Sequence, residues 1–411
     1  MKSVEHDPRS YAALRNPDSR TYLLFAAVAM MADHVEHAIS YWMLFVKFHS
    51  PSLAGFAVIA HWVPFLVGSV WAGALADRFD PRRIIQVSMG LFIFVSLSWG
   101  VLFLNSSLAK WHAVILLIIH GCAGALWAPA GQVLIHSIVG TAQLQSGIRL
   151  MATSITLGVL LGPAVGGLLL LFVGPTGGIF INAAIYSPLL IWLAKHPTFS
   201  GHVPRRRNPT SSFTELVATV KQIAGIPTVL TMTLLAGLSA TFIGNGYQPQ
   251  LPQFARDFGF DNEGLRYTLL LTANAAGAIS AGILLESRIT LPSTSRTAIL
   301  LAMLWCVCIV GFASAHNYIV GITLLFFAGF SDLTFNSIAR TLAQLYSPAE
   351  LRGRAIGLFN VGSLGCRAFS GITIGFGGGF IGIHWSLGLS AMVLFILLGV
   401  LYFWSNQIAT R

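Results

Sequence analysis

The chain has 411 residues, 55% of them hydrophobic and only 9% charged, with 24 Lys and Arg against 14 Asp and Glu. A water-soluble domain carries roughly 25% charged residues, so this composition excludes one. The formal charge of +10 does not point to nucleic acid, because the basic residues recur in short clusters between apolar runs.

Those runs are each long enough to cross a bilayer as a helix. No sustained alternation marks the strands of a barrel, and helices are the remaining way to satisfy the backbone in lipid. Twelve spans are predicted: 21–46, 53–76, 84–105, 113–137, 149–173 and 177–194, then 227–249, 265–286, 297–314, 318–343, 355–380 and 384–405. The start lacks the pattern of a cleaved signal, so the first run is read as a retained helix. The expected organisation is an all-α, multi-pass membrane protein. It has a segment 1–20, a six-helix bundle 21–195, a Pro-, Ser- and Arg-rich linker 196–222, a second six-helix bundle 223–406 and a tail 407–411. Ser212 and Glu215 are expected to open a short surface helix in the linker.

The basic residues fall in alternate loops. One side holds Lys2, Arg9, Arg15 and Arg20, then Arg78, Arg82 and Arg83, then Lys195, Arg205, Arg206, Arg207 and Lys221, then Arg288 and Arg296, then Arg340, Arg352 and Arg354. The other side holds Lys47, Lys110, Arg256 and Arg266. By the positive-inside rule both termini face the cytoplasm, and the expected location is the inner (cytoplasmic) membrane. Cys122, Cys306, Cys308 and Cys366 lie inside apolar runs and read as packing residues, with no disulfide framework, metal site or cofactor implied.

A hairpin of charge, Gly73 to Arg83, joins the second and third spans, and a weaker copy runs from Gly282 through Glu286 to Arg288. The spacing from Ala142 to Gly158 recurs from Ala349 to Gly365. Two halves in the same order imply parallel repeats, which place a substrate site at their interface near mid-membrane.

The Gly73 to Arg83 run resembles the signature of the major facilitator superfamily between its second and third helices. Gly73, Leu75, Asp77, Arg78 and Arg82 match, Pro81 replaces the usual basic residue, and Asp80 stands where many members have glycine. The resemblance covers essentially the full length. It implies a gate in which Asp77 caps a neighbouring helix, with Glu286 and Arg288 as the second copy. Arg352 and Arg354 would pair with acids across the bundle interface and hold the cytoplasmic side closed. The alternative is that these arginines only fix orientation.

Gly158, Gly162, Pro163, Gly166 and Gly167 lie in the fifth span. Small residues at this spacing let helices approach closely, and Pro163 removes a helical hydrogen bond. The pattern resembles the family's antiporter motif, found mainly in exporters that exchange substrate for protons. The alternative is a packing helix without further role.

Ionisable residues inside spans point to function. Of the acids, Asp33, Glu36 and Asp332 lie well inside. Asp33, Glu36 and His37 are three and four residues apart and share a helical face. Two carboxylates there repel each other in low dielectric, and a bound proton relieves the repulsion. The cluster reads as a proton site, and the alternative is an internally neutralised polar patch. Arg367 needs a partner in hydrocarbon, and Asp332 is the nearest by span order. The readings are a structural ion pair, a pair that opens during transport, or reception of an anionic substrate by Arg367.

In the superfamily fold the first, fourth, seventh and tenth spans line the central cavity, and here they are the most polar. His34, His120, Trp127, Gln132, Asn245, Tyr247, Asn336 and Arg367 are the cavity candidates. His120 stands where many proton antiporters carry an arginine. Tyr41, Trp42 and Trp62 are aromatic candidates to stack on a ligand, or else interfacial anchors. Within the superfamily, Ser50, Pro51, Gly55, Pro64 and Gly68, with Ala128, Pro129, Ala130 and Leu144, resemble the branch of siderophore and macrolide exporters.

The expected function is a secondary active transporter that exports a small amphipathic molecule, drug or siderophore, with protons as coupling ion. It would act as a monomer in the bilayer. Uptake or uniport by the same fold is the alternative, and a non-transporting receptor finds no attached sensor domain. No nucleophile elbow, zinc-protease helix or Walker loop marks an enzyme.

Overall fold

The computed structural model describes residues 11–196, 222, 225–259, 264–287, 292–348 and 352–409, and among these there is no strand. The main helices are α1 (Pro17–Phe48), α2 (Pro51–Arg78), α3 (Pro81–Leu104), α4 (Lys110–Phe172) and α5 (Gly174–Lys195). Then come α6 (Pro227–Phe242), α7 (Leu265–Ser287), α8 (Ser295–Ser314) and α9 (Tyr318–Leu345), followed by α10 (Ala355–Ile381) and α11 (Ile383–Ala409). Ten described helices are long and apolar enough to cross a membrane, and α6 is a shorter apolar one. One of the ten, α4, consists of two arms, so the apolar helices number ten to twelve.

Local chemistry sets the helix starts. Proline opens α1, α2, α3 and α6, where its missing N–H costs nothing. Asp80 caps α3 by accepting from the Arg82 N–H at 2.9 Å. Thr294 caps α8, and Asn317 caps α9 through two backbone N–H groups.

Three expected spans differ in shape. The loop expected between 137 and 149 is helical, and α4 runs through it with a single break at Gly140 (φ 67°, ψ −178°). That backbone conformation is open to glycine and closed to side chains. The expected span 227–249 stops at Phe242. Gly244 adopts φ 42°, and a short 3₁₀ turn Gln248–Gln250 leads into a separate helix, Leu251–Asp257. The third, α10, is interrupted by π-helical turns at Val361–Gly365 and Gly371–Phe376. The surface helix expected near Ser212 lies outside the described residues.

The chain divides into two compact units, Met1–Met43 with Val67–Pro209, and Leu44–Leu66 with Thr210–Arg411. In the first unit Tyr22, Met89, Phe92, Trp127, Leu134, Tyr186 and Leu193 build a core shared by α1, α3, α4 and α5. Polar side chains seal helix crossings there. The Tyr22 hydroxyl donates to the Gly131 carbonyl at 3.2 Å, and Ser88 to that of Ala123 at 2.6 Å.

Within the second unit, glycine sets the closest approaches. Gly277 of α7 and Gly329 of α9 meet the opposing backbones at Phe326 and Asn274. The first turns of α2 lie against α10 through Gly55, Gly371 and Gly375, backbone on backbone. Any Cβ at these three positions would overlap main-chain atoms of the partner helix.

Candidate functional site

The face of α1 expected from spacing is present. Asp33 and Glu36 are buried, at 5% and 2% exposure, in the middle of the largely apolar α1. From the first arm of α4, His120 enters between them. Its Nε2 lies 2.9 Å from Asp33 Oδ1 and its Nδ1 lies 2.8 Å from Glu36 Oε1. His34 and His37 approach the other oxygen of Asp33, Oδ2, at 3.3 and 3.7 Å.

Two further helices complete the cluster. The Ser96 hydroxyl of α3 donates to Glu36 Oε2, and Asn182 of α5 donates to Ser96 Oγ at 3.3 Å. Phe92 and Tyr186 stack with centroids 5.0 Å apart, and Phe92 meets the His120 ring edge-on at 4.9 Å. Two carboxylates and an imidazole are therefore held among aromatic rings, where charges are poorly screened.

Proton counting shows what such a set can do. A ring nitrogen 2.8–2.9 Å from a carboxylate oxygen needs a proton between the two lone pairs. His120 makes such a hydrogen bond to Glu36 through Nδ1, and its Nε2 lies beside Asp33, so the charge of one imidazole is tied to two acids. A change in the number of protons on this set alters a repulsion that movement of a helix would relieve. Spacing along α1 pointed to Asp33, Glu36 and His37. The insertion of His120 is a tertiary event, and Ser96, Asn182 and Tyr186 went unnoticed. Their signal was a buried hydroxyl, amide and phenol in otherwise apolar helices.

The glycines of the second α4 arm form one stripe along α1. Gly158 faces the Ala27 carbonyl and Met30, Gly162 faces Met31 and His34, and Gly166 faces Val35 and Ala38. Pro163 lies within this arm, and Gly167 is buried. The motif read from sequence thus sets how near α4 lies to the segment of α1 that carries the acids.

Other sequence candidates land differently. Trp127 sits in the apolar core of the first unit at 4% exposure, and Gln132 is exposed, so neither is grouped with the acids. Asn245 and Tyr247 lie in the break after α6, with Asn245 donating to Gln248 at 3.4 Å. The expected Asp332–Arg367 ion pair is not formed within 4.0 Å. Asp332 is held instead by Asn336, one helical turn away, whose amide donates to its carboxylate at 2.8 Å. The local i,i+4 bond needs no second helix to arrive.

In the charged hairpin, Gly73 and Asp77 belong to α2 and Arg78 is exposed. Arg82 pairs with Asp80 at 3.3 Å and donates to the His196 carbonyl at 2.8 Å. The cap on α3 is thus Asp80, the residue that departs from the family pattern. The side chains of Asp77, Glu286, Arg352 and Arg354, and all of Arg288, lie outside the described residues.

Ten to twelve long apolar helices define a polytopic membrane protein, with a cluster of titratable groups buried in its first unit. Comparison with known proteins makes this specific. The Major Facilitator Superfamily model matches residues 19–371, and the chain belongs to that family of transporters. It is 25% identical over 321 residues to the enterobactin exporter EntS of Shigella boydii serotype 4, covering 76% of this chain and 73% of that protein. It is 25% identical over 320 residues to EntS of Salmonella typhi, with the same coverage.

Solved structures share the fold. A bacterial homolog of the human lysosomal transporter Spinster, in an inward-facing conformation, superposes with TM-score 0.71 at 13% identity, covering 96% of this chain and 98% of that one. The nucleoside transporter NupG gives 0.71 at 13% identity over 96% and 99% of the two chains. A D-xylose–proton symporter gives 0.64 at 16% identity over 93% and 97%.

Proposed function

We propose that this transporter is a proton-coupled exporter of a small amphipathic organic molecule, a siderophore or drug, working as a monomer by alternating access in the inner membrane. In this reading two six-helix repeats with cytoplasmic termini rock about a central site. The observation that carries the reading is His120 held between Asp33 and Glu36. A set that binds a proton in one arrangement and releases it in another gives protons a differential affinity for the two states, which is what drives a population shift. The glycine stripe places a helix interface directly beside that set, so a change in its charge acts on α1 packing. Export rather than uptake is supported by the naming of the curated relatives as enterobactin exporters and by the resemblance of Gly158 to Gly167 to the antiporter motif. The charged hairpin with Asp77, Arg78, Arg352 and Arg354 is assigned to the cytoplasmic gate.

The test is Asp33→Asn. Cargo is first identified by comparing the medium of a deletion strain with that of its parent. Transport is then followed in everted vesicles under an imposed pH gradient. The variant is expected to express normally and lose gradient-driven transport. Wild-type transport by Asp33→Asn would remove this carboxylate from the mechanism, and cargo accumulating inside intact cells would reverse the direction.

A further inference from the structure

A carboxylate and two imidazoles converge within the first unit. Asp33, His37 and His120 each offer one ligand atom, and these atoms lie within 4.8 Å of one another. Asp33 and His37 stand one turn apart, a spacing that puts both on one face of α1. His120 arrives from the first arm of α4, so the set spans two helices. Metal sites in helical bundles are built in this way, from inward side chains of facing helices.

The distances suit a small ion. Bonds of about 2.1 Å to nitrogen and oxygen leave the ligand atoms of a tetrahedral site about 3.4 Å apart. The approaches to the two oxygens of Asp33, 2.9 Å from His120 Nε2 and 3.7 Å from His37 Nδ1, bracket that edge. Glu36 supports the set from behind. Its Oε1 lies 2.8 Å from His120 Nδ1, its Oε2 accepts from Ser96, and Ser96 accepts from Asn182. A carboxylate on the far nitrogen of a ligating imidazole fixes the ring, aims the near nitrogen and raises its basicity. The near nitrogen here is Nε2, which is turned toward Asp33.

Charge and donor type narrow the ion. Every ion pair of Asp33 and Glu36 is with a histidine, and among the described residues no Lys or Arg comes within 4.0 Å of either. One divalent ion beside neutral imidazoles balances both carboxylates, where low dielectric makes imbalance costly. Imidazole donors favour Zn2+ and its neighbours over Mg2+ and Ca2+, which take shells of oxygen. Three protein ligands leave a coordination position open, unlike a closed structural site. The His37 side chain is 15% exposed, which gives an ion its way in.

We infer that Asp33, His37 and His120 bind a divalent transition-metal ion of the Zn2+ class, with Glu36 as a positioning residue, and that the bound ion ties α1 to α4. The ion and the coupling proton share these side chains, but binding needs neither transport nor a gradient.

The experiment uses the full chain without a histidine tag, stripped by a chelator and placed in phosphatidylcholine nanodiscs. Zn2+ is the probe and Mg2+ the hard-ion control, read by titration calorimetry and by thermal unfolding. The wild-type protein is expected to bind one Zn2+ per chain, to melt higher with it, and to ignore Mg2+. Co2+ in its place should show the intense visible absorption of a four-coordinate ion. His37→Ala and His120→Ala should lose the stoichiometric ion and that absorption. Glu36→Gln should weaken Zn2+ roughly 10–100-fold while the stoichiometry stays at one. His384→Ala, which removes a histidine–carboxylate pair of the second unit, should change nothing. Failure of the wild-type protein to bind Zn2+ in preference to Mg2+ would overturn the inference even if no variant folds. So would binding retained when His37→Ala and His120→Ala are combined, since the ion would then sit elsewhere. Normal transport by Asp33→Asn, with Zn2+ bound by the wild type, sinks the proton reading and leaves the metal site standing. Loss of transport in Asp33→Asn, with no Zn2+ bound by the wild type, does the reverse.

Discussion

Replacing Gly162 with alanine puts a methyl group where no room exists. Its Cβ would overlap the His34 Cβ and lie 2.8 Å from the Met31 carbonyl oxygen. Neither neighbour is the far end of a flexible chain, so α1 itself must retreat. Overpacking of this kind costs roughly 1–3 kcal/mol. The better helix propensity of alanine returns about 1 kcal/mol, which leaves a net destabilisation of roughly 0–2 kcal/mol, toward the upper end because the overlap is with atoms fixed to the α1 backbone. Gly90 of α3 is the control, because a Cβ there meets nothing within 4 Å. Gly90→Ala is expected to be neutral or slightly stabilising. Both variants are compared by thermal unfolding in detergent and by vesicle transport. Gly162→Ala should melt earlier and lose a disproportionate share of transport, since moving His34 and its neighbours opens the 2.9 Å contact between Asp33 and His120. If Gly162→Ala and Gly90→Ala melt and transport alike, the glycine stripe does not set the α1–α4 distance and the reasoning fails.

Two further outcomes follow from the same geometry. Ser96→Ala deprives Glu36 Oε2 of its donor and should cost about 1.5–3 kcal/mol, the worth of a hydrogen bond to a charged group; thermal unfolding reads this, and Ser96→Thr should restore most of it. Gly140→Ala forces a side chain into a backbone region reserved for glycine and should cost roughly 1–3 kcal/mol, visible as a lower melting point with no change in probe binding.

Much of the fold was legible because the signals are local. Apolar runs, opening prolines and the Gly158–Gly162–Gly166 spacing each act over one or two turns, and the structure places helices and a close crossing where they fall. The α1 face was legible for the same reason, since Asp33, Glu36 and His37 are neighbours by helical periodicity alone. What was not legible depended on a second element. Nothing in the α4 sequence says that His120 points between two acids of α1. Arg367 and Asp332 were read as partners by span order; they lie within electrostatic reach of one another but beyond 4.0 Å, and the near contact of the carboxylate is Asn336, four residues away. The break after Phe242 was missed because hydropathy continues smoothly through Gly244 while the backbone does not.

The meeting of Gly55 with Gly371 and Gly375 has a mechanical meaning. A seam in which main chain meets main chain, with Ile59 the one side chain against Gly371, has few interlocking rotamers to unmesh, and dispersion holds it only while the surfaces touch. Such a zip parts over a short travel and recloses without re-sorting any side chain, so its two ribs can be drawn apart and returned many times with little hysteresis.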